Sequence, residues 1–177
     1  MLKKIRLEYD FGIFLDADYT VHSGSCISHQ THELKDVHEK YGGFPDTITK
    51  HNTEIRQLWY DNTQLDFKQL GSDLGLDVLT VSSILQPPGN IVPIHRDTFF
   101  QINKRYPGDA RQKLRANIYL EDWREGQFIH YEVDDKWYNS THWLVGDGFL
   151  WDSDHLHVSG NAGFTDKYTL QVSGFKK

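Results

Sequence analysis

Hydrophobic and polar positions alternate most cleanly in the second half of the chain. Across residues 114–120, Leu114, Ala116, Ile118 and Leu120 fall on one side and Arg115, Asn117 and Tyr119 on the other, the period of two that a strand requires. Residues 127–133 alternate in the same way. Residues 78–85 form an apolar, β-branched run, Gln86-Pro87-Pro88-Gly89-Asn90 reads as a turn, and residues 91–95 resume a strand. Trp143-Leu144-Val145 leads into a Gly146-Asp147-Gly148 turn and then Phe149-Leu150-Trp151, and residues 168–175 make a final strand. The first half reads differently. Residues 5–16 give a strand followed by a loop. Residues 28–41 form a helix stopped by Gly42-Gly43, residues 53–65 a second helix through Ile55, Leu58 and Trp59, and residues 66–76 a short third one broken by Gly71 and Gly75.

Helices first and strands at roughly ten-residue spacing afterwards predict an α+β, mainly β protein whose body is a closed barrel or sandwich. No repeat, linker or low-complexity tract interrupts the 177 residues. The expectation is one domain over 1–177, with an N-terminal strand and helices over about 1–76 and a barrel over about 77–177. A chain of this length buries roughly two-thirds of its unfolded surface, enough for a core without metal or disulfide staples.

Composition narrows the chemistry. With 19 Lys and Arg against 25 Asp and Glu, the net charge is −6, which argues against a phosphate-backbone binder, so no nucleic acid is expected. No apolar run approaches the ~20 residues of a membrane helix, and no apolar core follows the N-terminal charges as in a signal peptide. The single Cys26 excludes an internal disulfide and a multi-cysteine metal site. A cytoplasmic protein, monomer or homodimer, is the expectation. Ten histidines are many for this length, and they matter only where they fall into ligand geometry.

His95-Arg96-Asp97 is one such place. On an extended segment the imidazole and the carboxylate point to one side and can reach one ion. Alone, His-x-Asp is common and usually a surface pair. A second histidine stands in Asp152-Ser153-Asp154-His155-Leu156-His157, just before the final strand. His155 and His157 share strand parity, so the pattern alone does not choose between them. Two histidines and one carboxylate would form a face suited to non-haem Fe(II), with coordination positions left open. Lys167 and Thr169 share one face of the final strand. A lysine pointing into a barrel is costly unless it meets an anion, although an edge lysine can also reach solvent. Arg115, Asn117 and Tyr119 help hold a co-substrate or substrate if their face points inward; the alternation leaves open which face does. Trp123, Trp137, Trp143 and Trp151 read as core and rim packing, and His22, His29, His32, His38 and His51 as surface residues. Phe99, Phe100, Arg105 and Tyr106 read equally well as one wall of a substrate site or as a solvated loop with two buried phenylalanines.

Taken in order, His95-Arg96-Asp97, His157 and Lys167-Tyr168-Thr169 resemble the 2-oxoglutarate/Fe(II)-dependent oxygenases, and most closely the small aspartyl/asparaginyl β-hydroxylase-like or phage-type members. The resemblance spans about residues 79–175. It implies a double-stranded β-helix, the jelly-roll or cupin-like barrel. It implies that His95, Asp97 and His157 hold Fe(II), with His157 preferred because it lies ten residues before Lys167 and four before Asn161. It further implies that Lys167 and Thr169 bind the distal carboxylate of 2-oxoglutarate, with Arg115 and Tyr119 as further co-substrate contacts, and that O2 is the oxidant. Many relatives carry arginine where this chain has Lys167. The implied reaction is hydroxylation of a C–H bond in an amino acid, a peptide or protein side chain, or a small metabolite. The rival expectations are a cupin-like barrel that binds metal or a small ligand without turnover, and a metal-free jelly roll.

Overall fold

The computed structural model describes residues 2–20, 23–27 and 34–177. His22, His29 and His32, and the start of the helix expected over 28–41, lie outside the described residues.

Two antiparallel sheets face each other. The larger has the strand order β1-β9-β6-β11-β4-β3-β2, built from β1 (Leu2–Arg6), β9 (Asp147–Trp151), β6 (Lys113–Tyr119), β11 (Lys167–Lys176), β4 (Leu76–Gln86), β3 (Glu54–Tyr60) and β2 (Ser23–Ser25). The smaller has the order β5-β10-β7-β8, built from β5 (Asn90–His95), β10 (His157–Asn161), β7 (Gln127–Val133) and β8 (Lys136–Ser140). Short helices among the described residues connect the strands: α1 (Gly12–Leu15), α2 (Lys35–Lys40) and α3 (Phe67–Leu74) between strands of the larger sheet, and α4 (Phe100–Arg105) between β5 and β6. The architecture is mainly β and consistent with a double-stranded β-helix. No helix among the described residues is long and apolar enough to cross a membrane.

The alternation in β6 and β11 divides the molecule into two interiors. Leu114, Ala116, Ile118, Leu170 and Val172 face away from the second sheet and pack with Phe14 of α1 and Leu70 and Leu74 of α3. The opposite face looks into the barrel. One end of that interior is filled by Tyr119, Ile129, Tyr131, Trp143, Phe149 and Trp151. The other end is left open as a cavity. Which face of β6 points inward is thereby settled: the apolar face serves the core under the helices, and Arg115 and Asn117 line the cavity.

The helix expected over 53–65 is instead strand β3, which pairs with β4 from Arg56↔Leu85 to Tyr60↔Val81. Ile55 and Leu58 sit at a helical interval, but Ile55, Gln57 and Trp59 alternate onto the cavity wall. A short apolar run fits both periods, and the free edge of β4 decides between them. The expected loop after β1 contains α1, and the substrate loop near residue 100 contains α4. The third predicted helix forms as α3. Asp66 caps it by accepting from the amides of Lys68 and Gln69, and Gly75 ends it with a left-handed backbone (φ 69°).

Candidate metal centre

β5 and β10 are neighbours in the smaller sheet, and their register sets His157 opposite His95. The chain leaves β5 at His95, so Asp97 stands two residues beyond on the same side. The two ring centroids are 4.0 Å apart. One ligand atom from each of His95, Asp97 and His157 lies within 4.8 Å of the other two, so the group could hold a metal ion. His155 is elsewhere: its Nδ1 lies 2.9 Å from Asp152 Oδ1. The choice left open by strand parity falls to His157, which opens β10 opposite His95, whereas His155 lies before the strand and turns to Asp152.

The donors are arranged for a cation. His95 Nδ1 lies 2.8 Å from the Pro93 carbonyl, and His157 Nδ1 lies 3.1 Å from the His155 carbonyl. Each contact fixes its ring with Nδ1 as the protonated nitrogen and leaves the Nε2 lone pair for a ligand. Burial lowers the pKa of both rings; for His157, burial and the neighbouring His95 take it down to about 3. Both are therefore neutral at pH 7, the form that binds metal. Burial opposes ionisation of Asp97, but the Arg115 guanidinium, helped by the Trp151 N–H, outweighs it and holds the carboxyl below its ordinary range. Asp97 accepts from Trp151 Nε1 at 2.7 Å and from Arg115 Nη1. Arg115 is braced in turn by Ser173 Oγ at 2.9 Å. Just beyond Asp97, Phe99 takes a left-handed backbone (φ 51°) that turns the chain into α4, a strained conformation of the kind that gathers at functional sites.

The cavity has a volume of about 640 Å³ and reaches from this cluster to Lys167. That side chain comes from β11, is 2% exposed, and bonds Ser159 Oγ at 2.6 Å, the Phe128 carbonyl at 2.9 Å and Gln86 Oε1 at 3.5 Å. All three partners are neutral. Desolvation accordingly pulls its pKa down to about 7. Thr169 lies two residues along the same face and also lines the cavity.

Tyr119 is not placed as expected. Its ring stacks on Trp143 at 3.8 Å, and the Trp143 ring centroid is 5.7 Å from Lys167 Nζ. Tyr119 therefore backs the wall that faces Lys167 rather than forming it. Phe99 and Phe100 line the cavity, whereas Arg105 belongs to a separate surface depression around Leu79. His38, expected at the surface, is buried against Phe44 at 4.7 Å. His51 is exposed as expected. Cys26 is half-buried, and desolvation raises its thiol to about 11, so it is unreactive at neutral pH. The residues missed in the sequence are Trp151, Gln86 and Ser159. Each acts through pairing with a distant strand, which local patterns do not carry.

No family model matches the chain, and no curated protein matches it. Among solved structures, a Pseudomonas putida prolyl-4-hydroxylase aligns over 99% of this chain and 92% of its own, at 18% identity and a TM-score of 0.57. The non-haem alpha ketoglutarate dependent epimerase SnoN from nogalamycin biosynthesis aligns over 97% of this chain and 77% of its own, at 10% identity and a TM-score of 0.60. The carbocyclase SnoK from the same biosynthesis covers 97% and 78%, at 11% identity and a TM-score of 0.57. At such identities the likeness is one of fold: this chain has the barrel on which those three proteins are built.

Proposed function

We propose that the chain is an Fe(II)- and 2-oxoglutarate-dependent dioxygenase that hydroxylates a C–H bond of an amino acid, a peptide or protein side chain, or a small metabolite. The observation that carries this reading is one cavity with a metal-capable His95–Asp97–His157 face and, on β11 of the opposite sheet, a buried Lys167 whose partners are all neutral. An ammonium in such a place costs free energy until an anion joins it. A dicarboxylate with one end at the metal face and the other at Lys167 satisfies both ends.

His95, Asp97 and His157 would hold Fe(II) by two neutral imidazole nitrogens and one carboxylate oxygen, a donor set suited to that ion. Fe(II) with 2-oxoglutarate and O2 supplies oxidative decarboxylation to succinate and CO2, coupled to oxygen insertion into a C–H bond. The protein's share is placement. Lys167 pairs with the distal carboxylate, and the Thr169 hydroxyl donates to it. Trp151 and Arg115 fix the plane of the Asp97 carboxylate. Tyr119 and Trp143 keep water from the inner end of the site. The carboxylate ligand Asp97 also leaves no room for a halide in its place, which favours hydroxylation over halogenation.

The test is succinate formation from 2-oxoglutarate with Fe(II) and O2, with and without candidate substrates. Turnover that needs both metal and keto acid, and is lost in Asp97→Ala and Lys167→Met, supports the reading. Metal binding with no response to the keto acid would favour a cupin-like binding barrel instead.

A further inference from the structure

The cavity holds two polar groups that the metal face and Lys167 leave uncommitted, both on β6. Arg115 spends Nε on Ser173 and Nη1 on Asp97, which leaves Nη2 uncommitted. Its one acidic partner is a metal-ligating carboxylate, whose charge is shared with the metal once a divalent cation is bound. Two residues along the same strand face, the Asn117 side-chain oxygen is buried with no hydrogen-bond partner among the described residues. An orphaned buried acceptor is costly, and a ligand N–H or O–H removes that cost. Among the described residues lining the cavity, Asp97 is the sole acid, against Arg96, Arg115 and Lys167. Arg96 is already paired with Asp36 at 3.0 Å.

The two remaining cations serve different ends of the site. Lys167 bonds Ser159, two residues along β10 from His157. Arg115 bonds Asp97, and its register partner on β11 is Ser173, six residues from Lys167. That separation is roughly 20 Å of strand. A five-carbon diacid whose distal carboxylate meets Lys167 cannot also set that carboxylate on Arg115, so Arg115 is open to a second anion.

We infer that the primary substrate is a small free carboxylic acid carrying an N–H or O–H beside the carboxylate, that is, an α-amino acid, free or N-acylated, or an α-hydroxy acid. This rests on the dioxygenase reading above. The carboxylate pairs with the Arg115 guanidinium, whose planar fork suits it, and the neighbouring donor bonds Asn117 Oδ1. The two side chains leave β6 on one face, two residues and roughly 7 Å apart at the backbone, and both line the same cavity. An anion on Arg115 lies next to a metal ligand, so the oxidised carbon is within a few bonds of the carboxylate. An internal residue of a peptide has no such group and is excluded.

The experiment uses the whole protein with Fe(II) and 2-oxoglutarate, first without oxygen. The probes are the free L-amino acids, their N-acetyl derivatives and the matching α-hydroxy acids, each set beside its carboxamide. The readouts are a change in the visible band of the chelated keto acid and, after oxygen is admitted, succinate release above background. The inference expects at least one acid to act while its carboxamide needs about tenfold or more higher concentration, the loss of one charged hydrogen-bond partner. Asn117→Ala should raise the half-saturating concentration of that acid by about tenfold more than that of 2-oxoglutarate. Carboxamides equal to their acids, no active member while the band forms, or Asn117→Ala acting chiefly on 2-oxoglutarate would each overturn it. The last result would assign these residues to the co-substrate. Failure of the band itself would instead remove the dioxygenase reading, and this inference with it.

Discussion

Asp97 is gripped from the far side of the barrel, by an indole N–H and a guanidinium that both belong to the larger sheet. Trp151→Phe keeps the packing area and removes one of these bonds. Its expected effect is a fall of roughly tenfold to a hundredfold in Fe(II) or Co(II) affinity, measured by titration, with little change in fold. Unchanged affinity would mean that Trp151 only fills space. Lys167 gives a pH signature. Desolvation holds it near 7 in the folded protein, against 10.5 for an ordinary lysine. Below pH 7 both the folded and unfolded chains carry the proton, and the burial penalty is present in full. Between about 7 and 10.5 the unfolded chain binds more protons than the folded one, so the ligand-free protein gains stability as pH rises through that window. The melting temperature of the wild type should rise from pH 7 to pH 9 relative to Lys167→Met. Binding of 2-oxoglutarate at pH 8 should take up a proton, visible as buffer-dependent heat. Parallel pH curves for the two proteins would contradict the assignment. His95, Asp97 and Lys167 were legible in the sequence because i, i+2 spacing on a strand is a local property. The grip of Trp151 and Arg115 on Asp97 was not, because it depends on the pairing Arg115↔Trp151 and on a carboxylate delivered by the other sheet.

Most strands could be read from alternation alone, and residues 127–133 coincide with β7. The failure at β3 is instructive. Ile55, Leu58 and Trp59 satisfy a helical interval, but an unpaired edge of β4 offers a ladder of hydrogen bonds that a free helix at this position could not match. Strands β8 and β10 were not anticipated, since β8 is largely exposed and β10 is short and holds Gly160. Two element-level predictions follow from caps and close approaches. Asp66→Ala removes both amide contacts at the start of α3 and should lower stability by about 1 kcal/mol, read by chemical denaturation. Gly148→Ala places a methyl 2.3 Å from the Asn117 carbonyl oxygen. It should separate β9 from β6, lower stability by about 1–3 kcal/mol and loosen metal binding, because Arg115, Asn117 and Trp151 all ride on these two strands. A variant as stable as the wild type would show that the pairing yields without cost.

The two halves seen in the sequence are interleaved in the molecule. β1 closes one edge of the larger sheet against β9, β3 covers β4 on the other side, and α1 and α3 lie over the core. The expectation of a single domain over 1–177 thus becomes testable: residues 77–177 expressed alone should fail to fold, as judged by the dispersion of their amide NMR signals. A well-folded fragment would make the first 76 residues an accessory. At this scale the fold also explains why the site is where it is. The larger sheet sends its apolar face to the helices and keeps its polar face for the cavity, so the metal donors of one sheet look directly onto the cations of the other. The account is tested most directly by titrating the oxygen-free, metal-free protein with Fe(II), with and without 2-oxoglutarate, and following the weak visible band of the chelated keto acid. It predicts a stoichiometric band that disappears in His95→Ala and Asp97→Ala and weakens in Lys167→Ala. No band at saturating metal and keto acid would contradict it.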